Sequence, residues 1–439
     1  MNNIQRKELA QWAGDHARRK GASDVAVSIS RSRSVQVEVR EQRIENIKES
    51  TENSLYLQIY HDHKYSSHTT NNLNKDQLKR FIDEAVMATQ YLGEDKDRTL
   101  PDPELYPKGK PLDLNTYDPD HDAVTPEFRV ETAMKAEQLI RQGNTEILSA
   151  SAGFRDNAYE SVKYHTNGFL GESSGTFFSK SASVSMMDKD SRPSGSFYAG
   201  SRFLNLLPDE NNLAEKALLD ALNQFGQGKI ASGKYAMIVD NRVAGNLLWR
   251  LFQPMTARAL QQKSSFLDGM MGKAIGSKYL TIIDDPLIPG GMASRYFDNE
   301  GIASQKRIMI DKGILADWYI DNYYGKKLGM KPNGGSTSNI LMETGKRSQK
   351  QIIADTQKGI LITSFNGGNA NNTTGDFSFG ISGQLIENGK IVRAVNEMNI
   401  SGNFGKLFHQ LTETGNDPNP YSSLQSPTLA FLDVDFSGL

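Results

Sequence analysis

Glycine and asparagine dominate one 43-residue stretch, residues 363–405, which contains eight of each. Because both residues reach positive φ at low cost, the stretch should fold as short strands joined by tight turns. Phe377, Phe379 and Ile381 alternate with small or polar residues, which predicts a half-buried strand. Further along, Asn388-Gly389 separates two apolar runs, which is the strongest short-range signal for a β-hairpin.

The same stretch contains the candidate contacts with a substrate or a partner. Two glycines in the predicted strand leave one of its faces without side chains, so another backbone could approach closely there. The polar loop before the strand could bind a peptide backbone, and it could equally be only a turn. The five candidate residues are Gly367, Gly368, Asn369, Gly380 and Gly383.

The composition excludes several classes of function. The chain has no cysteine, which rules out disulfides, iron–sulfur clusters, Cys nucleophiles and Cys-liganded zinc. Its 50 basic and 52 acidic residues nearly cancel, and this balance gives no support for direct nucleic-acid binding. No apolar run approaches the roughly 18 residues of a membrane helix, and the N-terminus lacks a signal-peptide core. We therefore expect a cytoplasmic protein that does not contact a membrane.

Periodicity divides the 439 residues into several regions. A helix is predicted at residues 3–20, strands follow, and a second helix begins at Asn74. The same helix–strands–helix order returns after Thr125, and strands dominate from Gly233 onward. The sequence therefore predicts an α+β fold, with two helix–strands–helix units followed by a β-rich, barrel-like C-terminal domain. The predicted boundaries are 1–98 for the first unit, 99–122 for a proline-rich linker, 123–230 for the second unit and 231–439 for the C-terminal domain.

One serine motif invites a catalytic interpretation. Gly171-Glu172-Ser173-Ser174-Gly175 matches the G-x-S-x-G nucleophile elbow, which needs a strand before it and a helix after it. The residues that follow, Thr176-Phe177-Phe178, have the pattern of a strand. The sequence therefore favours a polar hairpin turn over a catalytic serine at this position.

Histidines and paired acids are the other candidates for chemistry. His61-x-His63 has His68 nearby but no carboxylate at a metal-binding spacing, and a hairpin tip is the favoured interpretation. Asp284-Asp285 and Asp298-x-Glu300 are acid pairs of the kind that can share a proton. Both pairs adjoin turn residues, so we interpret them as structural.

A family resemblance rests on a long ordered motif. The run GGNANNTTGDFSFGISGQLIENGK, followed by Asn399-Ile400-Ser401-Gly402-Asn403, resembles the TldD/PmbA family. Members are known as modulators of DNA gyrase and as subunits of a zinc metallopeptidase. The similarity extends from about Val25 to the end of the chain. Further matching segments are Lys263–Leu267, Phe297–Gly301, Gly313–Leu315 and Gly415–Asp417.

The resemblance implies a zinc site that this chain has lost. Catalytic members carry an H-E-x-x-x-H helix and a C-terminal cysteine. The matching positions here are Asn241, Arg242 and Asn246, with Ser426 at the cysteine position. An amide is a poor zinc ligand, and a guanidinium repels a cation and cannot act as a base. The resemblance to the PmbA branch, also called TldE, therefore implies no cofactor in this chain and zinc in a TldD-like partner.

Three functions remain open at this point. The chain could be the non-catalytic subunit of a heterodimer that cleaves unfolded peptides. It could be an autonomous hydrolase that uses Asp298, Glu300 or Ser173 without a metal. It could also bind extended peptides by adding them to a sheet edge. The isolated chain could also form a homodimer, since related subunits often share one interface.

Overall fold

The N-terminal half of the molecule contains long strands with helices on one side. The computed structural model describes residues 1–143 and 146–439. In chain order this half contains α1 (Asn3–Arg19), β1 (Asp24–Arg40), β2 (Arg43–His61), β3 (Lys64–Thr70), α2 (Lys75–Thr89), α3 (Pro126–Arg141), β4 (Ile147–His165), β5 (Leu170–Met186), β6 (Ser194–Ser201) and α4 (Glu210–Leu222).

The C-terminal half is richer in strands. In chain order it contains β7 (Gly233–Val239), α5 (Asn241–Phe252), α6 (Ala257–Gln261), β8 (Ile282–Asp284), β9 (Arg307–Asp311), β10 (Ile314–Leu315), α7 (Asn322–Leu328), β11 (Ile340–Met342), α8 (Gln349–Ala354), β12 (Lys358–Ala370), β13 (Asp376–Glu387), β14 (Lys390–Asn403), α9 (Phe404–Leu407), β15 (Leu411–Thr414), β16 (Leu424–Gln425) and β17 (Leu429–Ser437).

The two N-terminal units share one antiparallel sheet. Its strand order is β3-β2-β1-β4-β5-β6, so each unit contributes three neighbouring strands. The units join where β1 pairs with β4, from Ala26 opposite His165 to Arg40 opposite Ser151. The repeat seen in the sequence therefore builds a single layer, because each unit presents an open strand edge to the other.

Helices cover only one face of this sheet. At one end, α1 and α2 bury residues such as Ala10 and Leu78 against Val27 and Leu57. At the other end, α3 and α4 pack over a second cluster that includes Phe154. Because side chains alternate across a strand, the opposite face carries the residues in between, many of them serine and tyrosine.

Capping residues fix the starts of the helices where the sequence predicts them. The Asn74 side chain accepts hydrogen bonds from the backbone N–H groups of Asp76 and Gln77. Thr125 accepts one from Phe128, and Pro126 occupies the first turn of α3. Each cap satisfies donors that the helix leaves unpaired and contributes about 1 kcal/mol.

The proline-rich segment 99–122 runs as a strap along the free edge of β5. The backbone N–H of Thr176 donates to the Thr116 carbonyl at 3.0 Å, and the Thr116 hydroxyl donates to the Ser174 carbonyl at 2.7 Å. The Asp118 N–H donates to the Thr176 hydroxyl at 2.8 Å. The strap therefore covers an edge that would otherwise leave backbone groups unpaired.

A closed barrel forms the centre of the C-terminal half, as the barrel-like prediction requires. Its strands follow the order β14-β13-β12-β7-β17, and β14 pairs with β17 to close the ring. The predicted hairpin is confirmed: Glu387 pairs with Lys390 across the turn, and Asn388 and Gly389 have φ of 49° and 75°. A second sheet, β10-β9-β8-β11-β16, packs beside the barrel.

One predicted strand is largely wrong. The apolar pattern predicts a strand from Ile314 to Tyr319, but only Ile314–Leu315 pairs as one. The Asp317 carboxylate accepts the Trp318 N–H at 2.8 Å and turns the chain. The remaining apolar side chains are buried in the core without a continuous ladder.

Candidate functional site

A groove of about 610 Å³ separates the two halves of the molecule. On one side are the outer edge of β6 and the end of α4. On the other side are the start of α5, the middle of β12 and the loop before β16. Its lining is mostly hydroxyl and amide groups, among them Ser196, Asn366 and Ser382, and its charged residues are Asp220 and Arg242.

Arg242 is held at the groove by two carboxylates. Its Nε donates to Asp240 Oδ1 at 3.0 Å, and its Nη2 lies 3.3 Å from Asp220 Oδ1. Asp240 also caps α5 by accepting the Arg242 N–H, whereas Asp220 belongs to α4 of the other half. The guanidinium therefore links the two halves, and 34% of its side chain stays exposed.

The two asparagines that flank this position have different surroundings. The Asn241 side chain donates to the Asp417 carbonyl at 2.6 Å. Asn246 lies one turn further along α5 and is exposed, and its side chain makes no hydrogen bond to another described residue. Asn241 therefore ties α5 to the loop 415–428, while Asn246 faces solvent.

Ser426 lies on that same loop. It is fully buried, and its hydroxyl donates to the Pro427 carbonyl at 3.0 Å. Two residues on, Thr428 donates its N–H and its hydroxyl to the Asp417 carboxylate. Asp417 thus connects the Ser426 loop to Asn241 at the start of α5.

These residues do not fit a zinc ion. The Asn241 amide is engaged as a hydrogen-bond donor, a guanidinium carries a permanent positive charge, and the Ser426 hydroxyl is turned to its neighbour. Zinc sites in proteins are built from His, Cys and carboxylate side chains. Within residues 1–143 and 146–439, no group of three or more His, Cys, Asp or Glu residues could hold a metal ion.

The groove also contains an unpaired strand edge. β7 pairs with β12 only from Gly359 to Ile362, because the chain then leaves the sheet to form α5. Beyond Ile362 no described strand pairs with that side of β12, and Thr363, Ser364 and Asn366 line the groove. An extended peptide could add to such an edge through main-chain hydrogen bonds.

The structure separates the five glycine and asparagine candidates into two groups. Gly380 and Gly383 belong to β13, which pairs with β12 in the same sheet. A Cβ added at Gly380 would lie 2.7 Å from the Asn366 carbonyl oxygen, and one added at Gly383 would lie 2.0 Å from the Leu361 carbonyl oxygen. The backbone that comes close to these glycines is therefore β12 of the same chain. Gly367, Gly368 and Asn369 are exposed on the outer part of β12. Their contact with a substrate or partner stays a prediction.

The serine motif is neither an elbow nor a hairpin turn. Residues 171–175 lie inside β5, with Ser173 opposite Ser161 of β4, so the predicted turn is wrong. An added Cβ at Gly171 would lie 2.6 Å from the Phe297 ring, and one at Gly175 would lie 2.4 Å from Arg202. Gly171 makes room for Phe297 of the C-terminal half, and Gly175 makes room for Arg202, which donates to the Gly291 and Met292 carbonyls of that half. Packing therefore explains both glycines without catalysis.

The histidine pair occupies the predicted hairpin tip. Asp62 and His63 have positive φ in the turn between β2 and β3, and His61 Nδ1 lies 2.5 Å from the Gly21 carbonyl. Nearby, the His68 side chain bonds the Ser66 hydroxyl at 2.8 Å. Burial lowers the pKa of His68, which favours its neutral form.

The acid pairs are engaged by hydrogen bonds to the backbone, and their structural role stays a prediction. Asp298 accepts the N–H groups of Glu300 and Ile302 at 2.8 and 2.9 Å, and Asp284 accepts the Ser338 N–H. Glu300 accepts the Asn322 N–H at 2.8 Å, and burial raises the pKa of its carboxyl to about 7. Neither pair lines the groove.

Sequence models of one family match nearly the whole chain. Residues 25–89, 119–225 and 232–438 match domain 1, the central domain and the C-terminal domain of the PmbA/TldA metallopeptidases. The chain belongs to the TldD/PmbA family. This confirms the resemblance drawn from the Gly/Asn-rich stretch.

Relatives and solved structures agree with this assignment. Metalloprotease PmbA of Escherichia coli O157:H7 is 27% identical over 95% of this chain and 93% of that protein. The crystal structure of a Bacteroides thetaiotaomicron protein, named as a modulator of DNA gyrase, is 39% identical, covers 100% of both chains and has a TM-score of 0.97. TldE from Thermococcus kodakarensis shares the fold, with a TM-score of 0.84 at 20% identity.

Sequence reasoning missed the partners of the substituted positions. Asp220 belongs to no motif, and Asp417 ends the matching segment Gly415–Asp417, but neither acid lies at a motif spacing from Arg242 or Asn241. Only the packing of α4 and of loop 415–428 against α5 brings them together.

Among the described residues, no helix has the length and apolar character needed to span a membrane.

Proposed function

We propose that this chain is the zinc-free subunit of a TldD/PmbA-type metallopeptidase that cleaves unfolded peptides in the cytoplasm. A TldD-like relative would supply the zinc site. The supporting observation is the pairing of Arg242 with Asp220 and Asp240 at the position that matches the family's general base. A charge held in this way can stabilise the scaffold, but it cannot accept a proton from water.

A second role is supported by the open edge of β12. This edge lies in the groove beside the start of α5, where hydroxyl and amide groups from both halves converge. Main-chain hydrogen bonding to an edge selects for an extended conformation rather than for a particular sequence. We therefore propose that the chain also binds unfolded peptide along β12 and presents it to the complex.

The autonomous hydrolase has less support. The Asp298 carboxylate is engaged in a backbone turn, and Ser173 lies near the start of β5 with no histidine at hydrogen-bonding distance among the described residues. Neither residue lines the groove. The arrangement therefore offers no nucleophile–base pair of the kind that hydrolysis without a metal needs.

The test compares the purified chain, a TldD-like relative and their mixture on an unfolded peptide. We expect no cleavage by this chain alone, cleavage by the mixture, and loss of that cleavage when a chelator removes zinc. Elemental analysis of this chain alone should show no stoichiometric zinc. Chelator-sensitive cleavage by this chain alone would refute the proposal.

Self-association can be measured in the same preparation. Light scattering on the chain alone should show a homodimer, which the addition of the TldD-like relative converts into a mixed complex of similar mass. A chain that stays monomeric and never associates with the relative would contradict the partner role while leaving peptide binding open.

A further inference from the structure

A second cavity, of about 790 Å³, lies on the face of the N-terminal sheet that the helices leave uncovered. The strap 99–122 and a loop of the C-terminal half enclose it. It shares no lining residue with the groove. The serine motif, which the proposed function does not use, forms part of its wall. We call it the Lys163 cavity.

Register explains why polar groups collect there. Ser161 and Lys163 alternate with the buried Val162 on β4, so both side chains point away from the helices. Ser28 of β1 lies directly opposite Lys163, and Ser173 of β5 lies opposite Ser161. Three neighbouring strands therefore contribute hydroxyls around one ammonium group.

These donors are largely uncommitted. The Lys163 ammonium donates to the Asn299 carbonyl and has no carboxylate within ion-pair distance among the described residues. The side-chain hydroxyls of Ser28, Tyr159, Ser161 and Ser173 make no hydrogen bond to any described residue. Arg295, also in the wall, donates to the carbonyls of Ser336 and Thr337 instead of to an acid.

The acidic residues of the wall are already engaged. Glu172 pairs with Lys7, Asp113 accepts the Asn115 N–H at 2.9 Å, and Asp298 accepts two backbone N–H groups. These carboxylates keep their negative charge, but their oxygens already have donors, so the groups available to a ligand are the Lys163 ammonium and the free hydroxyls. An ammonium flanked by free hydroxyl donors suits an anion.

We infer that the Lys163 cavity binds a small organic oxyanion, a carboxylate or a phosphate, through the Lys163 ammonium and the Ser161 and Ser173 hydroxyls. The volume suits a small molecule. The strap covers part of the site, which favours a small ligand over a macromolecule. Aromatic side chains, among them Tyr106, Phe169 and Tyr296, line the walls and would contact a ring or chain attached to the anionic group.

The protonation of Lys163 supports this inference. Burial lowers the pKa of Lys163 to about 8, although Asp298 and Glu300 act in the opposite direction. An anion bound beside the amine would favour the charged form and raise this pKa again. We therefore expect binding to weaken as the pH rises above about 8, where the free protein loses the ammonium charge.

Competition with a lysine-acylating reagent tests the site in the full chain. The rate of acetylation of Lys163 is followed by mass spectrometry in benzoate, in phosphate and in chloride at the same ionic strength. We expect at least one of the two oxyanions to slow acetylation of Lys163 about fivefold or more, with exposed Lys48 unaffected. The anion that slows acetylation, benzoate or phosphate, shows whether the site prefers a carboxylate or a phosphate.

Variants separate binding from packing. The double variant Ser161→Ala/Ser173→Ala keeps Lys163. It should raise the anion concentration needed for half-maximal protection about three- to tenfold, the effect expected from losing one or two neutral hydrogen bonds. Ser196→Ala in the groove is the matched control and should leave protection unchanged. Lys163→Met should abolish any thermal stabilisation by the protecting anion; if this variant does not fold, the acetylation rates alone decide.

Equal acetylation of Lys163 in benzoate, phosphate and chloride would overturn the inference. So would protection that is unchanged in the double serine variant. Neither result depends on whether the chain assembles with a TldD-like relative, because the measurement uses the isolated chain.

Discussion

The groove and the Lys163 cavity differ in whether their basic side chain has an ion-pair partner. In the groove, Arg242 is paired with Asp220 and Asp240, so carboxylates of the same protein balance its charge. In the cavity, Lys163 makes no ion pair with any acid among residues 1–143 and 146–439, and the carboxylates of the wall are engaged by other groups. Both regions lie between the two halves of the molecule, but only the cavity, within the described part of the chain, places free hydroxyl donors beside an ammonium group that makes no ion pair.

This difference shows how ion pairing within the protein decides which charged groups stabilise the fold and which stay available to a ligand. A partly buried guanidinium would destabilise the fold unless nearby carboxylates balanced its charge. Asp240 does so from the cap of α5 and Asp220 from α4, so Arg242 forms a contact between the two halves. Polar groups without such partners are the better candidates for binding a ligand.

The largest expected effect on stability comes from adding a Cβ at glycines close to the groove and to the cavity. Gly383→Ala should reduce the free energy of unfolding by about 3 kcal/mol or more, because the new Cβ would lie 2.0 Å from the Leu361 carbonyl oxygen. Gly171→Ala at the cavity should cost only about 1 kcal/mol, since its neighbour is the Phe297 ring, which can rotate away. Urea unfolding measures both, and equal costs would contradict this contrast.

Reversing the charge at the groove should have the next largest effect. Arg242→Glu replaces two ion pairs by repulsion with Asp220 and Asp240, and we expect a loss of about 2 kcal/mol, given the partial exposure of the side chain. Asn246→Glu, on the exposed face of the same helix, is the matched control and should change stability by less than about 0.5 kcal/mol. High salt should reduce the difference between these variants, and a difference that salt leaves unchanged would argue against an electrostatic cause.

The free energy of unfolding is expected to depend on pH through Glu300, which follows the cavity-wall residues Asp298 and Asn299 in the sequence. Burial raises the pKa of Glu300 to about 7, so the folded state holds this proton more tightly than the unfolded state. Stability is therefore lost as the pH rises from about 4.5 to 7. Glu300→Gln should be more stable than the wild type by about 2 kcal/mol at pH 8 and nearly equal to it at pH 4.

Thermal unfolding as a function of pH measures this gain, with exposed Glu94→Gln as the control that should show no such trend. A constant difference between Glu300→Gln and the wild type at all pH values would exclude titration of Glu300 as the cause.

The smallest effect is expected at Ser426. Its hydroxyl donates only to the adjacent Pro427 carbonyl, so Ser426→Ala should change the free energy of unfolding by less than about 1.5 kcal/mol. Cleavage of unfolded peptide by the mixed complex should be unchanged. A large loss of cleavage with normal stability would show that this position retains a role in the reaction.

Local patterns predicted much of the architecture. The capped starts of α2 and α3 and the Asn388-Gly389 hairpin depend on residues close in sequence, and all of them appear as expected. The strand at residues 314–319 and the turn at residues 171–175 failed because their outcome depends on distant partners. The apolar run around Trp318 is buried in the core without pairing, and Ser173 pairs with a strand from earlier in the chain.

The sequence by itself determined the family and the α+β class, because residue types and short spacings carry that information. Only the tertiary structure decided what surrounds the start of α5: Asp220 and Asp417 reach it from other parts of the chain. It also decided where Lys163 lies, since the hydroxyls around it come from three strands in register. Long-range packing sets which charges are neutralised and which remain available, and no local pattern encodes that choice.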